Sequence, residues 1–331
     1  MTAQKTLELV CPAGTPAALR AAVDAGADAV YCGFRDETNA RNFPGLNFSR
    51  DELAEGLAYA HAKGVKLLLA LNTYMRAGAP YDWYRAVDDA ASIGVDAVIL
   101  ADMGLLAYAA EKAPDMRRHL SVQAAASNPE SINWYQETFG VQRIVLPRVL
   151  TVPEIAALNR EIDVETEVFG FGGLCPMTEG RCSLSSYATG LSPNMNGVCS
   201  PASHVRYEER GSKLVSCLGD FTINSFDEGE PAGYPTLCKG RFVAQDKTAY
   251  LFEDPTSLNV MSVLPDLITA GVTALKLEGR QRGKAYTRKV VGAFREFLDQ
   301  AAAGELTSVP DMAAFVEGGR QTTGAYEKGW Q

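Results

Sequence analysis

A glycine followed at once by an apolar run recurs along this chain. The copies read Ala25-Gly-Ala-Asp-Ala-Val-Tyr31, Ile93-Gly-Val-Asp-Ala-Val-Ile99, Phe139-Gly-Val-Gln-Arg-Ile-Val145 and Ala270-Gly-Val-Thr-Ala-Leu-Lys276, with a looser one at Lys63-Gly-Val-Lys-Leu-Leu-Leu69. An amphipathic stretch of helical period precedes the glycine, as in residues 15–25 and 81–93. Glycine suits a helix C′ position because it takes positive φ without a Cβ penalty. The apolar run that follows suits a parallel strand covered on both faces. The pattern predicts strands at 7–11, 29–33, 66–71, 97–101, 120–123, 143–146, 165–171 and 274–277, with helices between most of them. Eight such units predict an α/β fold of the TIM type, a (β/α)8 barrel that is closed or imperfect. A doubly wound open sheet fits less well, because no Gly-x-Gly-x-x-Gly follows the first strand.

The 331 residues exceed the usual size of such a barrel, roughly 250 residues, and the excess falls between the seventh and eighth strands. The expected organisation is a single barrel domain over 1–331, with a Cys-rich insertion and hairpin at 172–254 and a C-terminal segment, 305–331, packing back on it. The hairpin is expected within 239–254, a helix over 255–270 and a long closing helix over 283–303. No apolar run reaches the ~18 residues of a membrane span, and the polar start Met1-Thr-Ala-Gln-Lys-Thr6 lacks the apolar core of a signal peptide. A cytoplasmic protein is the expectation. The formal net charge of -9 disfavours non-specific nucleic-acid binding, though not a local basic patch.

In a barrel the C-terminal strand ends face the active site. Here they run into Asn39 and Arg41, Asn72, Asp102, Gln123, Arg148, and Lys276, Glu278 and Arg280. Singly, such residues cap helices and brace loops; their convergence on one rim makes them substrate-binding candidates. Arg41, Arg148 and Arg280 have the geometry to grip carboxylate or phosphate. The histidines add little: His61 falls in a helix, His119 precedes a strand, and His204 lies near the cysteines without a partner at ligand spacing. No catalytic triad, His-Glu-x-x-His or P-loop signature is present.

Cys175, Cys182, Cys199 and Cys238 lie in a stretch with no regular periodicity, spaced Cys-x6-Cys-x16-Cys-x38-Cys. In a reducing compartment seven cysteines read as metal or redox chemistry before disulfides. The tight knuckle of zinc sites and the runs of ferredoxins are both absent. Spacing alone leaves iron–sulfur, zinc and incidental burial open. Cys11 and Cys32 read as core residues, and Cys217 receives no role.

Several motifs carry a specific resemblance. Leu9-Val-Cys-Pro-Ala-Gly14, Thr38-Asn-Ala-Arg41 with Gly45-Leu-Asn-Phe48, Val145-Leu-Pro-Arg148, Gly180-Arg-Cys182-Ser-Leu-Ser-Ser186, Tyr234-Pro-Thr-Leu-Cys-Lys239, Lys276-Leu-Glu-Gly-Arg280, Thr322-Thr-Gly-Ala-Tyr326 and Trp330-Gln331 resemble the unknown-type peptidase family thirty-two. The similarity spans nearly the whole chain and is strongest to the ubiquinone-biosynthesis members. The resemblance implies a barrel with a 4Fe-4S cluster on Cys175, Cys182, Cys199 and Cys238. It implies oxygen-independent hydroxylation of a quinone precursor, in a heterodimer with a related cluster protein (UbiV-like) and near a lipid-carrier accessory protein. Prephenate is the oxygen donor it suggests. The other branches it offers are tRNA or rRNA hydroxylation and, from the family name, peptidase activity; for the latter the sequence shows no nucleophile–base motif.

Overall fold

The computed structural model describes residues 7–196, 199–305, 308–316 and 320–327. Its strands and helices are β1 (Glu8–Pro12), α1 (Pro16–Asp24), β2 (Ala29–Gly33), α2 (Arg50–His61), β3 (Lys66–Leu71), α3 (Tyr81–Ile93), β4 (Ala97–Leu100), α4 (Met103–Lys112), β5 (Arg117–Leu120), α5 (Pro129–Phe139), β6 (Val141–Val145), α6 (Val152–Leu158) and β7 (Glu165–Gly173). After a long excursion, β14 (Ala274–Leu277) completes the set and α10 (Lys284–Ala303) packs against α1. Neighbouring strands pair in parallel from β1 through β7, and β14 pairs in parallel with both β7 and β1. The sheet therefore closes on itself as a TIM-type (β/α)8 barrel.

The repeat glycines explain how each helix hands over to its strand. They stand at positive φ, from 64° at Gly140 to 96° at Gly26, where any side chain would be strained. Caps set the other ends. Thr15, Ser49, Asp102, Asn128 and Thr151 each accept a backbone N–H in the first turn of the helix they precede, satisfying donors that a helix leaves unpaired.

Side chains alternate along the strands. Leu9, Val30, Leu67, Leu69, Val98 and Leu100 join the core shared with the helices. Val10, Ala29, Tyr31, Leu68, Ala70, Ala97, Ile99 and Ala274 form a separate interior core, as the period of two requires. Cys11 and Cys32 belong to the helix-facing core.

Two expected elements differ. The fifth strand was expected at 120–123 but spans Arg117–Leu120, and Gln123 sits in a 3-10 turn after it. Its Arg-Arg-His sequence hides a strand because its polar groups enter buried networks inside the fold. Arg118, for example, donates to the carbonyls of Phe139 and Met116. The helix expected over 255–270 is instead a short strand, β13 (Ser257–Asn259), a 3-10 turn and α9 (Leu264–Thr269). β7 extends beyond the barrel, and its free edge pairs with β13 in antiparallel fashion.

Between β7 and β13 the chain forms α7 (Leu184–Thr189), α8 (Pro193–Asn196), β8 (Val205–Arg210), β9 (Lys213–Leu218), β10 (Phe221–Phe226), β11 (Arg241–Ala244) and β12 (Lys247–Tyr250). β8, β9 and β10 make an antiparallel sheet and β11 and β12 a hairpin. The stretch holding the cysteines is thus more regular than its sequence indicates, and Cys217 is a buried residue of β9. In the C-terminal segment, β15 (Gln321–Thr322) adds to β13. The Tyr326 hydroxyl donates to the Phe169 carbonyl at 2.9 Å. Trp330 and Gln331 lie outside the described residues.

Candidate functional site

The loops after β2, β6 and β14 and the cysteine segment after β7 meet at the C-terminal mouth. Asn39 is fully buried. Its amide oxygen accepts from Arg280 Nη1 at 2.9 Å and from the Arg41 backbone N–H at 3.0 Å, and its amide nitrogen donates to the Phe34 carbonyl. It fits only because position 33 is glycine: a Cβ there would lie 2.4 Å from the Asn39 side chain. Gly14 likewise leaves room for the Arg280 backbone, whose carbonyl oxygen would stand 1.7 Å from an added Cβ. Arg280 is buried and has no carboxylate partner among the described residues. Burial, with Arg41 adding repulsion, brings its guanidinium down to about 10, so it stays charged at neutral pH. Arg41 is half-buried and makes no side-chain hydrogen bond or ion pair among the described residues.

Arg148 is used differently. It is 4% exposed and lies 3.5 Å over the Phe169 ring. Its two terminal nitrogens pair with Glu179, in the cysteine segment, and Glu278, after β14. Burial opposes the charged guanidinium, but the two carboxylates outweigh it and hold Arg148 above the usual arginine range. The three arginines therefore do not form one anion clamp. Arg280 bonds to Asn39 and lies within electrostatic reach of Arg41, while Arg148 is tied up. Lys276 is not on the rim either. It lies inside the barrel, its Nζ 2.6 Å from Glu167 Oε1 and 3.9 Å over the Tyr31 ring.

The remaining rim candidates brace the mouth. Asn72 Oδ1 accepts from the Ala40 N–H at 3.1 Å, and Asp102 caps α4 while accepting from the Met75 N–H. The Gln123 carbonyl accepts from Tyr74 Oη at 2.7 Å. The cysteine segment rests on this same carbonyl. Gly180 has φ +80°, and a Cβ there would come within 2.0 Å of the Gln123 oxygen.

All four motif cysteines are free thiols; Cys175, Cys182 and Cys238 are partly buried and Cys199 is the most exposed residue of the set. They lie within electrostatic reach of one another. Cys199 raises the thiols of Cys175 and Cys238, and Cys182 raises those of Cys199 and Cys238. Burial is the larger cause in each case, bringing Cys175 to about 12 and Cys238 to about 11. Among the described residues no three His, Cys, Asp or Glu side chains stand close enough to hold a single metal ion.

Sequence reasoning missed the barrel interior. Arg143, 3% exposed, bridges Glu8 at 3.0 Å, Glu165 at 2.7 Å and Glu167 at 3.3 Å. His119, expected before the strand, lies within β5 at 2% exposure, and neither ring nitrogen has a hydrogen-bond partner among the described residues. The signal was present: charged residues spaced by two in Glu165-Thr-Glu167 and Arg117-Arg-His119 mark one face of a strand. His204 Nδ1 lies 3.0 Å from Ser203 Oγ, but the two are sequence neighbours on a surface turn, and no carboxylate among the described residues orients the ring.

A barrel with a cysteine-bearing segment over its mouth is the class these features define. Residues 14–328 match the model of Peptidase family U32, and the chain belongs to that family. It is 31% identical over 317 residues to tRNA hydroxylation protein P of Escherichia coli (strain K12), covering 90% of this chain and 69% of that one. It is 31% identical over 303 residues to the uncharacterized protease MJ0090 of Methanocaldococcus jannaschii, covering 90% and 66%. It is 30% identical over 296 residues to the 23S rRNA 5-hydroxycytidine C2501 synthase of Escherichia coli (strain K12), covering 88% of this chain but 39% of that protein. Among the described residues no helix is long and apolar enough to cross a membrane.

Proposed function

We propose that this chain is the cluster-bearing subunit of an oxygen-independent hydroxylase that acts on the aromatic ring of a ubiquinone precursor, in the manner of the UbiU branch of the family, with a UbiV-like protein as heterodimer partner. Hydroxylation is supported by the activities for which the relatives are named. The choice of a small ring substrate over RNA rests on one observation: four arginines in the loops and helix that follow the strands are held in carboxylate pairs, while among the described residues Arg41 and Arg280 are not. Arg148 is held by Glu179 and Glu278, Arg35 by Glu52, Arg76 by Glu37, and Arg50 by Asp36 and Asp89. A polyphosphate backbone needs a field of free cations. A small carboxylate needs one or two.

In this reading Cys175, Cys182, Cys199 and Cys238 hold a 4Fe-4S cluster, which supplies electron transfer when bound. Arg280, oriented by Asn39, and Arg41 bind the carboxylates of the oxygen donor, for which prephenate is the candidate. Tyr31 and the Lys276–Glu167 pair form the floor below them. Burial keeps the Tyr31 phenol protonated, donating to the Leu277 carbonyl at 2.9 Å, so it holds its proton at that carbonyl and closes the floor.

The test is anaerobic purification of the wild type and Cys199→Ala, with iron and sulfide analysis and an absorption spectrum. Quinone analysis of anaerobic cells carrying each form follows. Brown protein with roughly four irons per chain, lost in the variant together with quinone, is expected. Colourless or zinc-bearing protein under strict anaerobiosis overturns the reading. The second reading, RNA hydroxylation, is favoured by the 31% identity to tRNA hydroxylation protein P. Loss of a hydroxylated nucleoside from tRNA or rRNA of a deletion strain, with quinone unchanged, would establish it instead.

A further inference from the structure

The end of β7 and the segment that leads from it to α7 touch the barrel rim at three points. Gly172, at φ +134°, lies against Glu278, where an added Cβ would be 2.6 Å from the Glu278 Cβ. Gly180 lies on the Gln123 carbonyl. Between them Glu179, whose side chain is 11% exposed, reaches Arg148. Two of these points are close approaches that glycine makes room for. The third is a charge-assisted bond, and charge-assisted bonds are the strong ones. Its donor is fixed from below by the Phe169 ring and from the side by Glu278. Tyr326 in turn bonds the Phe169 carbonyl. Arg148 thus links the ends of β6, β7 and β14 to the one segment that carries both Cys175 and Cys182.

We propose that Arg148 is a positioning residue for the cluster: by bridging Glu278 on the barrel to Glu179 on the cysteine segment, it holds Cys175 and Cys182 in place before any metal binds. This rests on the assignment of the four thiols as ligands. The clamp is built from a guanidinium because two carboxylates on different elements must be held at once, which lysine's single point charge does not do. Cys199 and Cys238 arrive on other segments and lack this tie; Cys238 is braced through its own carbonyl, which accepts from the Glu253 N–H at 3.2 Å. The first two cysteines form the half of the site that the Arg148 bridge holds.

The experiment compares wild type, Arg148→Gln, Arg148→Lys, Glu179→Gln and, as an exposed-pair control, Arg35→Gln. Apo protein is digested briefly with trypsin, and cleavage after the exposed Arg181 is followed by fragment mass. The same proteins are then reconstituted anaerobically and assayed for iron, sulfide and the cluster absorption band. Glu179→Gln and Arg148→Gln are expected to be cut at Arg181 about five- to thirtyfold faster, the factor for losing one strong interaction. They are expected to take up less than half the wild-type iron. Arg148→Lys recovers part of both, and Arg35→Gln matches wild type. Wild-type cleavage and full loading in Glu179→Gln overturn the proposal, and that variant decides the matter should Arg148→Gln fail to fold. If wild type itself takes up no cluster, the ligand assignment fails, while the tryptic rate still reports whether the clamp holds the segment.

Discussion

The residues that distinguish this barrel from a plain apolar one are the charges inside it. Lys276, Glu167, Arg143 and Glu8 form a connected chain of ion pairs from the upper barrel to its base. Burial lowers the Lys276 ammonium from its usual range, and the Glu167 carboxylate opposes that. Removing one partner of a buried pair leaves an uncompensated charge, which costs about 3–5 kcal/mol. Lys276→Met leaves Glu167 paired with Arg143 at 3.3 Å, so its loss in urea unfolding is expected below that range, at about 1–3 kcal/mol. Lys276→Met/Glu167→Gln is expected to lose no more, since Arg143 keeps Glu8 and Glu165. His119 supplies a pH signature. Burial, then the positive charges of Arg143 and Arg117, hold its imidazole well below the usual range, so it is neutral in the fold. The unfolded chain protonates it near pH 6.5. Between that pH and its lower folded value the unfolded state binds the extra proton, so stability falls as pH falls. The carboxylates Glu8 and Glu165, which are held low in the fold, add their own losses only below about pH 4.5. From pH 6.5 to 5, wild type should lose up to about 1.4 kcal/mol per pH unit through His119. His119→Gln should flatten that slope, as read from denaturation midpoints across the window.

At the scale of elements, the cysteine segment depends on a glycine more than on its helix. Gly180 is excluded from carrying a side chain by its φ of +80° and by the Gln123 carbonyl 2.0 Å from any Cβ. Gly180→Ala should cost about 1–3 kcal/mol of backbone strain and lift the segment. In the apo protein, Cys182 should then react faster with a thiol reagent than in wild type; an unchanged rate would mean that the segment absorbs the methyl elsewhere. The hairpin offers the opposite case. Gln245 and Asp246 both sit at positive φ, 50° and 61°, between β11 and β12. That turn favours Asn-Gly, so Gln245→Asn/Asp246→Gly should gain about 0.5–1 kcal/mol, visible as a rise in melting temperature. These two sites also show what the chain made legible. Five of the barrel strands, β2, β3, β4, β6 and β14, could be read because each follows a helix-ending glycine, and the hairpin because two short apolar runs flank a polar turn. β5 could not, because Arg117 and His119 look like loop residues until a charged interior exists to receive them. β8, β9 and β10 were missed although Gly211 and Gly219 mark both turns at positive φ: their outer residues are polar and the half-buried alternation is weak. At the mouth, the motif arginines could be picked out, but their division into free Arg41 and clamped Arg148 depends on Glu179, a residue that no pattern singles out.

For the whole molecule, the balance of charge is the property that separates the competing substrates. The chain carries a formal net charge of -9, and Arg148, Arg35, Arg50 and Arg76 are in carboxylate pairs while, among the described residues, Arg41 and Arg280 are not. Each phosphate contact that a protein makes with RNA releases counterions and steepens the dependence of affinity on salt. A surface that offers a few free cations against a negative background should bind RNA no more tightly than ~10⁻⁴ M at physiological salt, the weak end of non-specific binding, with a shallow slope against salt concentration. Fluorescence anisotropy of labelled tRNA, titrated with the anaerobically purified protein at several salt concentrations, measures both. Arg41→Gln should then change tRNA binding little and weaken the effect of a dicarboxylate on the protein's melting temperature, because Arg41 is placed for a small anion beside Arg280 rather than along a backbone track. Sub-micromolar binding with a steep salt slope would require a basic path that the paired arginines do not supply, and would favour the RNA reading over the proposed quinone one while leaving the barrel and the Arg148 ion pairs as described.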